Sequence, residues 1–461
     1  MTEEFHEFHH ALKIREDVCF GCTHCMKVCP TEAIRIKKGK AVLSANRCVD
    51  CGECFRACPV LAIIIEQDDF DKIFNYPVRI ALVPSVFIGQ FPKTITTEQI
   101  YSEIMGIGFT HVYEVEHAVE ILAANINPYL EEHHDSKPVI SSFCPAIVRL
   151  IQVKFPALVE NIMHLKAPLD IAALYNQKKF LEAGYKKEEI GIFYITPCAA
   201  KIAAIKSPVG EEKSLVTGVI NMNTLYNKVF SGIKHNLKET CPVPTRKFLS
   251  PQNILWTLTR GESDVAKGRS IAVDGVHNVI EFLEKLENED LPHFDFLEMR
   301  ACDESCAGGV LVSGNRFLTV RRLHLRAEAS ALKIKQGQES SEDEIWNEKS
   351  ILLQHLGVEK VRPRSIVKLD DDMAKAMSKM KKVHELMRHL PQTDCGSCGS
   401  PKCSALAEDV VQGKATITQC IFVQKTLEKR NIFSKEESHQ IVENIWGSEK
   451  LEKKWFIDFS R

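Results

Sequence analysis

Apolar positions along the chain follow two rhythms. Short apolar runs, IALVPSVF (80–87) and HVYEV (111–115), are each followed by segments with helical spacing, TEQIYSEIM (97–105) and HAVEILAANINPYL (117–130). Further β-rich runs are PVISS (138–142), IGIFYIT (190–196) and FDFLEMR (294–300). This alternation predicts an α/β domain with a mostly parallel sheet over residues ~78–325. A turn at Lys37–Lys40 predicts a hairpin nearer the N-terminus. The stretch QGQESSEDE (336–344) reads as a solvated linker that interrupts order near Asn347. From Asp370 to Leu390, the residues Met373, Met377, Met380, Val383, Met387 and Leu390 recur at helical spacing. That stripe is expected to pack against the protein, or against a second copy in a homodimer. A helix over 405–411 stopped by Gly413, and a charged helical tail over 421–461 carrying Trp446 and Trp455, complete the pattern.

Composition narrows the class. At roughly 100–200 residues per domain, 461 residues suggest about three domains. The boundaries expected from the pattern are 1–70, 78–360 and 361–425, with a tail over 426–461. A content of 44% hydrophobic and 26% charged residues fits a soluble globular protein with a sizeable core. With 59 basic and 61 acidic residues the net charge is −2, which offers no basic field to nucleic acid. No leader-type apolar segment opens the sequence and no apolar run approaches ~18 residues, so a cytoplasmic protein with no membrane partner is expected. No phosphate-binding P-loop and no G-x-G-x-x-G after a strand are present, so the chain is not expected to handle ATP or NAD.

The number out of line is 17 cysteines. A disulfide framework is misplaced in a reducing cytosol, which leaves metal as their destination. Cys19, Cys22, Cys25 and Cys29 precede Pro30, and Cys48, Cys51, Cys54 and Cys58 precede Pro59. Each set reads C-x2-C-x2-C-x3-C-P, the spacing of two-cluster ferredoxins, in which the fourth ligand is exchanged between repeats. One [4Fe–4S] cluster is therefore expected on Cys19, Cys22, Cys25 and Cys58, and another on Cys48, Cys51, Cys54 and Cys29. Cys395, Cys398, Cys403 and Cys420 form a third set, with Gly396, Ser397, Gly399 and Ser400 letting the backbone wrap close to a metal centre. Four cysteines alone fit zinc or an iron–sulfur cluster. A likeness to the small four-cysteine domains of corrinoid proteins and redox-complex subunits favours [4Fe–4S].

Cys144, Cys198, Cys302 and Cys306 are dispersed, and each follows one of the β-rich runs. Strand carboxyl ends are where open α/β sheets place ligands. Gly308 and Gly309 would let a bulky group approach the backbone. From the residues alone, this is either a buried four-cysteine metal site or a set of structural thiols. Histidines His6, His9, His10, His133 and His134 read as solvated, and Cys241 as a free loop thiol.

The segments SSFCPA, TPCAAK and ACDESCAGG, with VPSVFIGQF (83–91) ahead of them, resemble the signature loops of the [FeFe]-hydrogenases. The C-terminal four-cysteine region is similar to that of sensory members of the family. The resemblance implies an α/β hydrogenase domain preceded by an α+β two-cluster ferredoxin-like module and followed by a small helical iron–sulfur domain. It also implies an H-cluster: a [4Fe–4S] cube on Cys144, Cys198, Cys302 and Cys306, bridged through Cys306 to a two-iron unit with carbonyls, cyanides and a dithiolate. Lys201 matches a lysine that hydrogen-bonds one cyanide, and Ser85 a small polar neighbour of the other. The partners implied are dihydrogen, protons and a redox or signalling protein.

Four positions depart from the catalytic pattern. Phe143 stands where catalytic members place a proton-relaying cysteine, and a phenyl ring has no titratable proton. Ala204 replaces an acid, while Thr196 and Arg300 replace methionines. The expectation is a low-activity, dihydrogen-binding protein with a sensing or regulatory role. The alternatives are a catalytic subunit of a larger electron-transfer (bifurcating) complex, and an assembly or carrier protein lacking the two-iron unit. Glu114 and Glu116, at the end of HVYEV, are candidates for a replacement proton path.

Overall fold

The computed structural model describes residues 8–235, 248–337, 342–364 and 372–451. His6, Cys241, Trp455, the side chain of Met373 and residues 370–371 lie outside the described residues. Contacts divide the chain into two units: residues 1–11, 49–52 and 66–363 form the larger, and residues 12–48, 53–65 and 364–461 the smaller.

In the smaller unit, β1 (Leu12–Ile14) pairs antiparallel with a later strand, and β2 (Ile34–Lys37) forms a hairpin with β3 (Lys40–Leu43). The partner of β1 is β4 (Ile63–Ile65), in the register Leu12↔Ile65. The hairpin turns where expected, with Lys37 opposite Lys40. Short helices His24–Val28 and Glu53–Ala57 follow the cysteine loops. The free edge of β2 is covered by the C-terminal part of the same unit, as exposed sheet edges require. Ile36 N donates to Gly399 O at 2.8 Å, and Lys38 N and Gly39 N donate to Asn444 O and Ile445 O at 3.1 and 2.9 Å. Arg35 pairs with Asp409 at 2.6 Å and Arg47 pairs with Glu408, all four side chains largely buried. Within the charged tail the helix Lys435–Trp446 is therefore packed, and Trp446 Nε1 donates to Ser397 O at 2.9 Å.

The helix expected around 370–390 spans Met373–His389. Its methionine stripe packs only in its second half. Val383 and Leu390 enter a core with Cys403, Leu406, Ala407 and Cys420, whereas Met377 and Met380 are exposed, at 59% and 45%. The helix at Cys403–Val411 ends before Gly413, whose φ of 70° suits glycine.

The larger unit holds two wholly parallel sheets. In the first, β5 (Val78–Val83), β6 (His111–Glu114), β8 (Ile190–Thr196) and β9 (Gly218–Asn221) are ordered β6-β5-β8-β9. In the second, β7 (Val139–Ile140), β10 (Ser270–Asp274) and β11 (Phe296–Arg300) are ordered β10-β11-β7. Every residue of β8 and β11 is buried, which is why these strands read as continuous apolar runs rather than alternating ones. Helix Thr97–Gly106 links β5 to β6 and begins with a capping box between Thr96 and Gln99. Within the stretch expected as a linker, Glu342–Asn347 is helical, and Ile345 is buried.

His10 corrects the solvated reading. It is 8% exposed, and its Nδ1 meets the fully buried Asp50 carboxylate at 2.8 Å. Asp50 also accepts from Ala11 N at 3.1 Å and from Arg149 Nη1 at 2.9 Å. His133 stacks on Tyr129, and no helix among the described residues is long and apolar enough to cross a membrane.

The main core behind the second sheet joins Ile147, Leu150 and Ile151 of helix Pro145–Lys154 to Val279 and Leu283 of helix Val276–Glu287 and Leu297 of β11. Leu150 is fully buried there, so Leu150→Ala is expected to cost about 2–5 kcal/mol. Denaturant unfolding monitored by circular dichroism measures this, and the midpoint should fall without a change in slope.

Candidate metal centres

All sixteen cysteines in the described residues are free thiols. Three of the dispersed ones sit where a strand has just ended. Cys144 lies beyond β7 and caps helix Pro145–Lys154, and Cys198 lies two residues beyond β8 and caps helix Ala199–Lys206. Cys302 lies two residues beyond β11, and Cys306 is in the turn Ser305–Gly308 that follows. Burial pushes the Cys198 thiol up to about 12, with the Cys306 and Cys144 thiols adding to the rise against Lys201. Cys306 is raised by burial and by Cys144. Strands from two sheets thus bring Cys144, Cys198 and Cys306 within electrostatic reach of one another. Cys302 belongs to the same loop as Cys306, and its carbonyl accepts from Ser305 N at 3.1 Å.

The loop geometry explains several neighbouring residues. Thr196 Oγ1 donates to Cys198 O at 2.9 Å and so closes the loop that presents that ligand. Glu304 and Ser305 have φ of 61° and 50°, uncommon for residues with side chains. Asp274, at the end of β10, holds this turn by accepting from Ser305 N at 2.9 Å and from the Thr259 hydroxyl. The glycine pair is also required by the packing of the loops themselves. A Cβ at Gly309 would lie 2.4 Å from Pro197 O, and one at Gly308 would lie 1.8 Å from Asp303 O. Gly309 lets the third cysteine loop pack against the second, and Gly308 lets the third loop fold on itself.

A small enclosed cavity is lined by Cys306, Lys201, Phe143, Glu116, Trp256 and Thr257, among others. Phe143 is 6% exposed, and its ring lies between two cations: Lys201 Nζ is 4.2 Å from the ring centroid and Arg300 Cζ is 3.8 Å from it. Arg300 is buried and paired, with Glu262 at 2.8 Å and Glu298 at 3.3 Å. Its charge is thus largely matched by carboxylates. Burial pushes Glu262 up to about 7, assisted by Glu298 and opposed by Arg300, and Ser141 Oγ donates to Glu262 at 2.6 Å. Ala204 lines a second cavity, which Phe143 and Lys201 also wall.

Ser85 is fully buried, but its hydroxyl donates to Glu114 Oε1 at 2.8 Å, and its neighbours Pro84 and Val86 supply the cavity wall. Glu114 also accepts from Tyr101 OH at 2.6 Å and from both terminal nitrogens of Arg326. Burial alone would raise Glu114, but Arg326 and these hydrogen bonds hold it down to about 2. Glu116 goes the other way: burial and the neighbouring Glu114 push it up to about 8. Its Oε2 accepts from Ser85 N at 2.8 Å, while Oε1 has no hydrogen-bond partner among the described residues. Two glutamates from one strand end thus take opposite protonation preferences.

Trp256 and Thr257 were not singled out by sequence reasoning. They follow the short helix Pro251–Leu255, and no spacing links them to the cysteine loops. Trp256 Nε1 and Thr257 Oγ1 are buried without partners among the described residues, and Cys306 N donates to Thr257 O at 3.2 Å. Orphaned donors beside a clustered thiol set fit a resident group that carries acceptor ligands.

In the smaller unit, burial pushes the Cys25 thiol up to about 12, with Cys22, Cys19 and Cys58 adding to it. These four line one small cavity, the set expected from ligand exchange between repeats. The repeats are matched in detail, since Ala33 N donates to Cys29 Sγ and Ala62 N to Cys58 Sγ, both at 3.2 Å. Cys48 and Cys54 are buried in this unit, while Cys51 packs on the core of the larger one. At the C-terminal set, burial raises Cys398, with Cys420 and Cys395 contributing. Cys395 is exposed; the hydrogen bonds of Ser397 outweigh desolvation and hold its thiol below the ordinary value. Asp394 Oδ1 accepts from Cys403 N at 2.7 Å, and Gly396 and Gly399 have φ of 75° and 78°.

Two outcomes follow. Gly309→Ala should displace Pro197 and the loop carrying Cys198, so iron bound per chain after anaerobic reconstitution should fall by about one cluster, with the ferredoxin-type clusters retained. Glu116 in the folded protein keeps its proton to about pH 8 instead of its ordinary 4.5, so stability is lost as pH rises between those values. Glu116→Gln removes that loss, and its thermal midpoint relative to the unsubstituted protein should rise from pH 5 to pH 8 by several degrees.

Residues 78–250 match the family described as "Iron only hydrogenase large subunit, C-terminal domain", residues 11–72 match "4Fe-4S dicluster domain", and residues 390–422 match "Putative Fe-S cluster". Among curated proteins, the NADP-reducing hydrogenase subunit HndD of Solidesulfovibrio fructosivorans is 20% identical over 201 residues, covering 41% of this chain and 31% of that protein. A protein of the ion-translocating oxidoreductase complex of Rhodobacter capsulatus is 47% identical over 38 residues, covering 8% of this chain and 20% of that protein. The matched regions thus span less than a third of these relatives. Solved structures include the [FeFe]-hydrogenase HydA1 from Chlamydomonas reinhardtii, at 13% identity and TM-score 0.46, covering 63% of this chain and 96% of that one. The structure of HydA(ΔEFG) aligns at 14% identity and TM-score 0.45, covering 62% of this chain and 95% of that one. The chain is an iron-only hydrogenase-like, multi-cluster iron–sulfur protein, with a ferredoxin-type two-cluster module before its parallel-sheet domain and a four-cysteine Fe–S domain after it.

Proposed function

We propose that this protein binds and activates dihydrogen at an H-cluster, at low turnover, in a sensing or regulatory role. Cys144, Cys198, Cys302 and Cys306 would hold the cube, and Cys306 would also help to hold the two-iron unit. When bound, that unit supplies the chemistry of dihydrogen cleavage to protons and electrons. The fit rests on the donor set and on the cavity: clustered thiols, the Lys201 ammonium, and the unpartnered Trp256 Nε1 and Thr257 Oγ1. Lys201 orients through its contacts with the Phe143 ring and carbonyl, the latter at 3.5 Å. The two ferredoxin-type sets and the C-terminal set would hold three further [4Fe–4S] clusters that carry electrons to and from a partner protein.

The observation that carries the low-turnover reading is Phe143. Its ring lines the cavity and lies against Lys201 and Arg300, and the resemblance puts a relaying cysteine at this position. No proton can pass through it. Of the buried acids, Glu116 lines the cavity and is pushed up to about 8, which leaves it the candidate for a replacement proton path, while Glu262, pushed up to about 7, is tied to Arg300. A second reading, a subunit of a larger electron-transfer complex, is supported by the likeness to HndD and to the oxidoreductase-complex protein of Rhodobacter capsulatus. Stable co-purification with flavin- and NAD-binding subunits would favour it.

Infrared spectroscopy of protein matured with the two-iron unit tests the proposal: carbonyl and cyanide bands are expected, and their absence removes it. With the bands present, hydrogen–deuterium exchange should be slow. Phe143→Cys should then raise turnover on the order of 10²-fold, as restoring one positioned acid does. Fast turnover without the substitution would overturn the sensory reading.

A further inference from the structure

The helix Met373–His389 has two unlike sides. One side, with Val383 and Leu390 at its centre, packs on Cys403 and Cys420 of the C-terminal four-cysteine set. The other presents Met377, Lys381, His384 and Arg388 at successive turns, with Met380 beside them. Met377 and Met380 are exposed there. The helix carries Lys375, Lys379, Lys381, Lys382 and Arg388 against a single acid, Glu385. In a chain whose net charge is −2, this is a local concentration of positive charge. Adaptable apolar centres ringed by charge are what transient protein interfaces use. A second apolar pair, Ile421 and Phe422, is exposed immediately after the ligand Cys420.

We propose that the stripe Met377–Lys381–His384–Arg388 is the docking surface for a small acidic one-electron carrier protein, which exchanges electrons with the C-terminal centre. The inference rests on the reading that Cys395, Cys398, Cys403 and Cys420 hold a [4Fe–4S] cluster. The step transfers one electron: the carrier's reduced centre is oxidised by one and the cluster is reduced by one, with no bond or proton moved. Only one helix, about 10–12 Å across, separates the stripe from the core that contains the ligands. Charge complementarity selects the occupant. A second copy of this chain would set the same cations against each other, which disfavours it. An anionic membrane surface would need a broad apolar face, and this stripe offers Met377 alone, with Met380 beside it.

The test uses the full chain, reconstituted anaerobically, with iron and EPR-detectable clusters counted first. Absence of a cluster on the C-terminal set at that stage would remove the underlying reading, independently of the surface. Reduction is then followed by stopped flow, using a reduced acidic ferredoxin, a basic c-type cytochrome and a small neutral reductant as probes. The ferredoxin rate should fall steeply with salt and drop about tenfold or more in K381E/R388E, with the small-reductant rate unchanged. M377S/M380S should slow the ferredoxin reaction without altering its salt dependence. An unchanged ferredoxin rate in K381E/R388E, or an equally fast reaction with the basic cytochrome, overturns the proposal. So does a dimer in solution that dissociates on charge reversal.

Discussion

Everything in this molecule depends on holding thiols together out of water. Burial opposes the ionised form of the Cys25 and Cys198 thiols, and neighbouring thiolates add to it, which is why both are driven up to about 12. A metal centre reverses that balance by supplying positive charge where the sulfurs converge. The fold's contribution is rigid presentation. Cysteines leave strands and cap helices, and turns are pinned by Asp274 and Asp394 so that sulfur positions are fixed by backbone. N–H groups of Ala33 and Ala62 are aimed at the sulfurs of Cys29 and Cys58, the fourth cysteine of each repeat.

Charge is managed by the same logic around the cavity. Arg300 would be prohibitively costly to bury alone, and its two carboxylate partners make it tolerable. The resulting group is electrically compact and rests against the Phe143 ring. Glu114 and Glu116 show how finely burial can be resolved. With Arg326 in place one glutamate is held ionised, and the second, two residues on and next to that negative charge, retains its proton. Such pairs are a recurrent property of functional sites.

The sequence was most legible where ligand spacing is local. The ferredoxin-type sets, the hairpin at Lys37–Lys40 and the strands leading to Cys144, Cys198 and Cys302 follow from runs of a few residues, because cluster ligation and strand burial act at that range. The α/β class followed from alternation for the same reason. Less legible were contacts between distant segments. Trp256 and Thr257 reach the cavity from a stretch with no spacing relation to the cysteines. His10 is buried because Asp50, forty residues on, needs a donor. The methionines recur at helical spacing, but such spacing drifts around the helix, so Met377 falls on the side away from Val383 and Leu390 and Met380 lies beside it, both exposed. Gly308 and Gly309 were noticed for a ligand's approach, whereas a backbone carbonyl from another loop is what excludes a side chain at Gly309.

The path of the chain has a practical corollary. The larger unit takes residues 1–11 and 49–52 as well as 66–363, so the backbone passes from one unit to the other five times. Asp50, between Cys48 and Cys51, is tied by Arg149 and His10 inside the larger unit, while residues on both sides of that loop belong to the smaller. Neither unit corresponds to a continuous stretch of gene. Trimming the first few dozen residues takes material from both, and the ferredoxin-like segment cannot be cut away as an independent cassette. Ribosomal synthesis must run past residue 364 before the smaller unit can be whole.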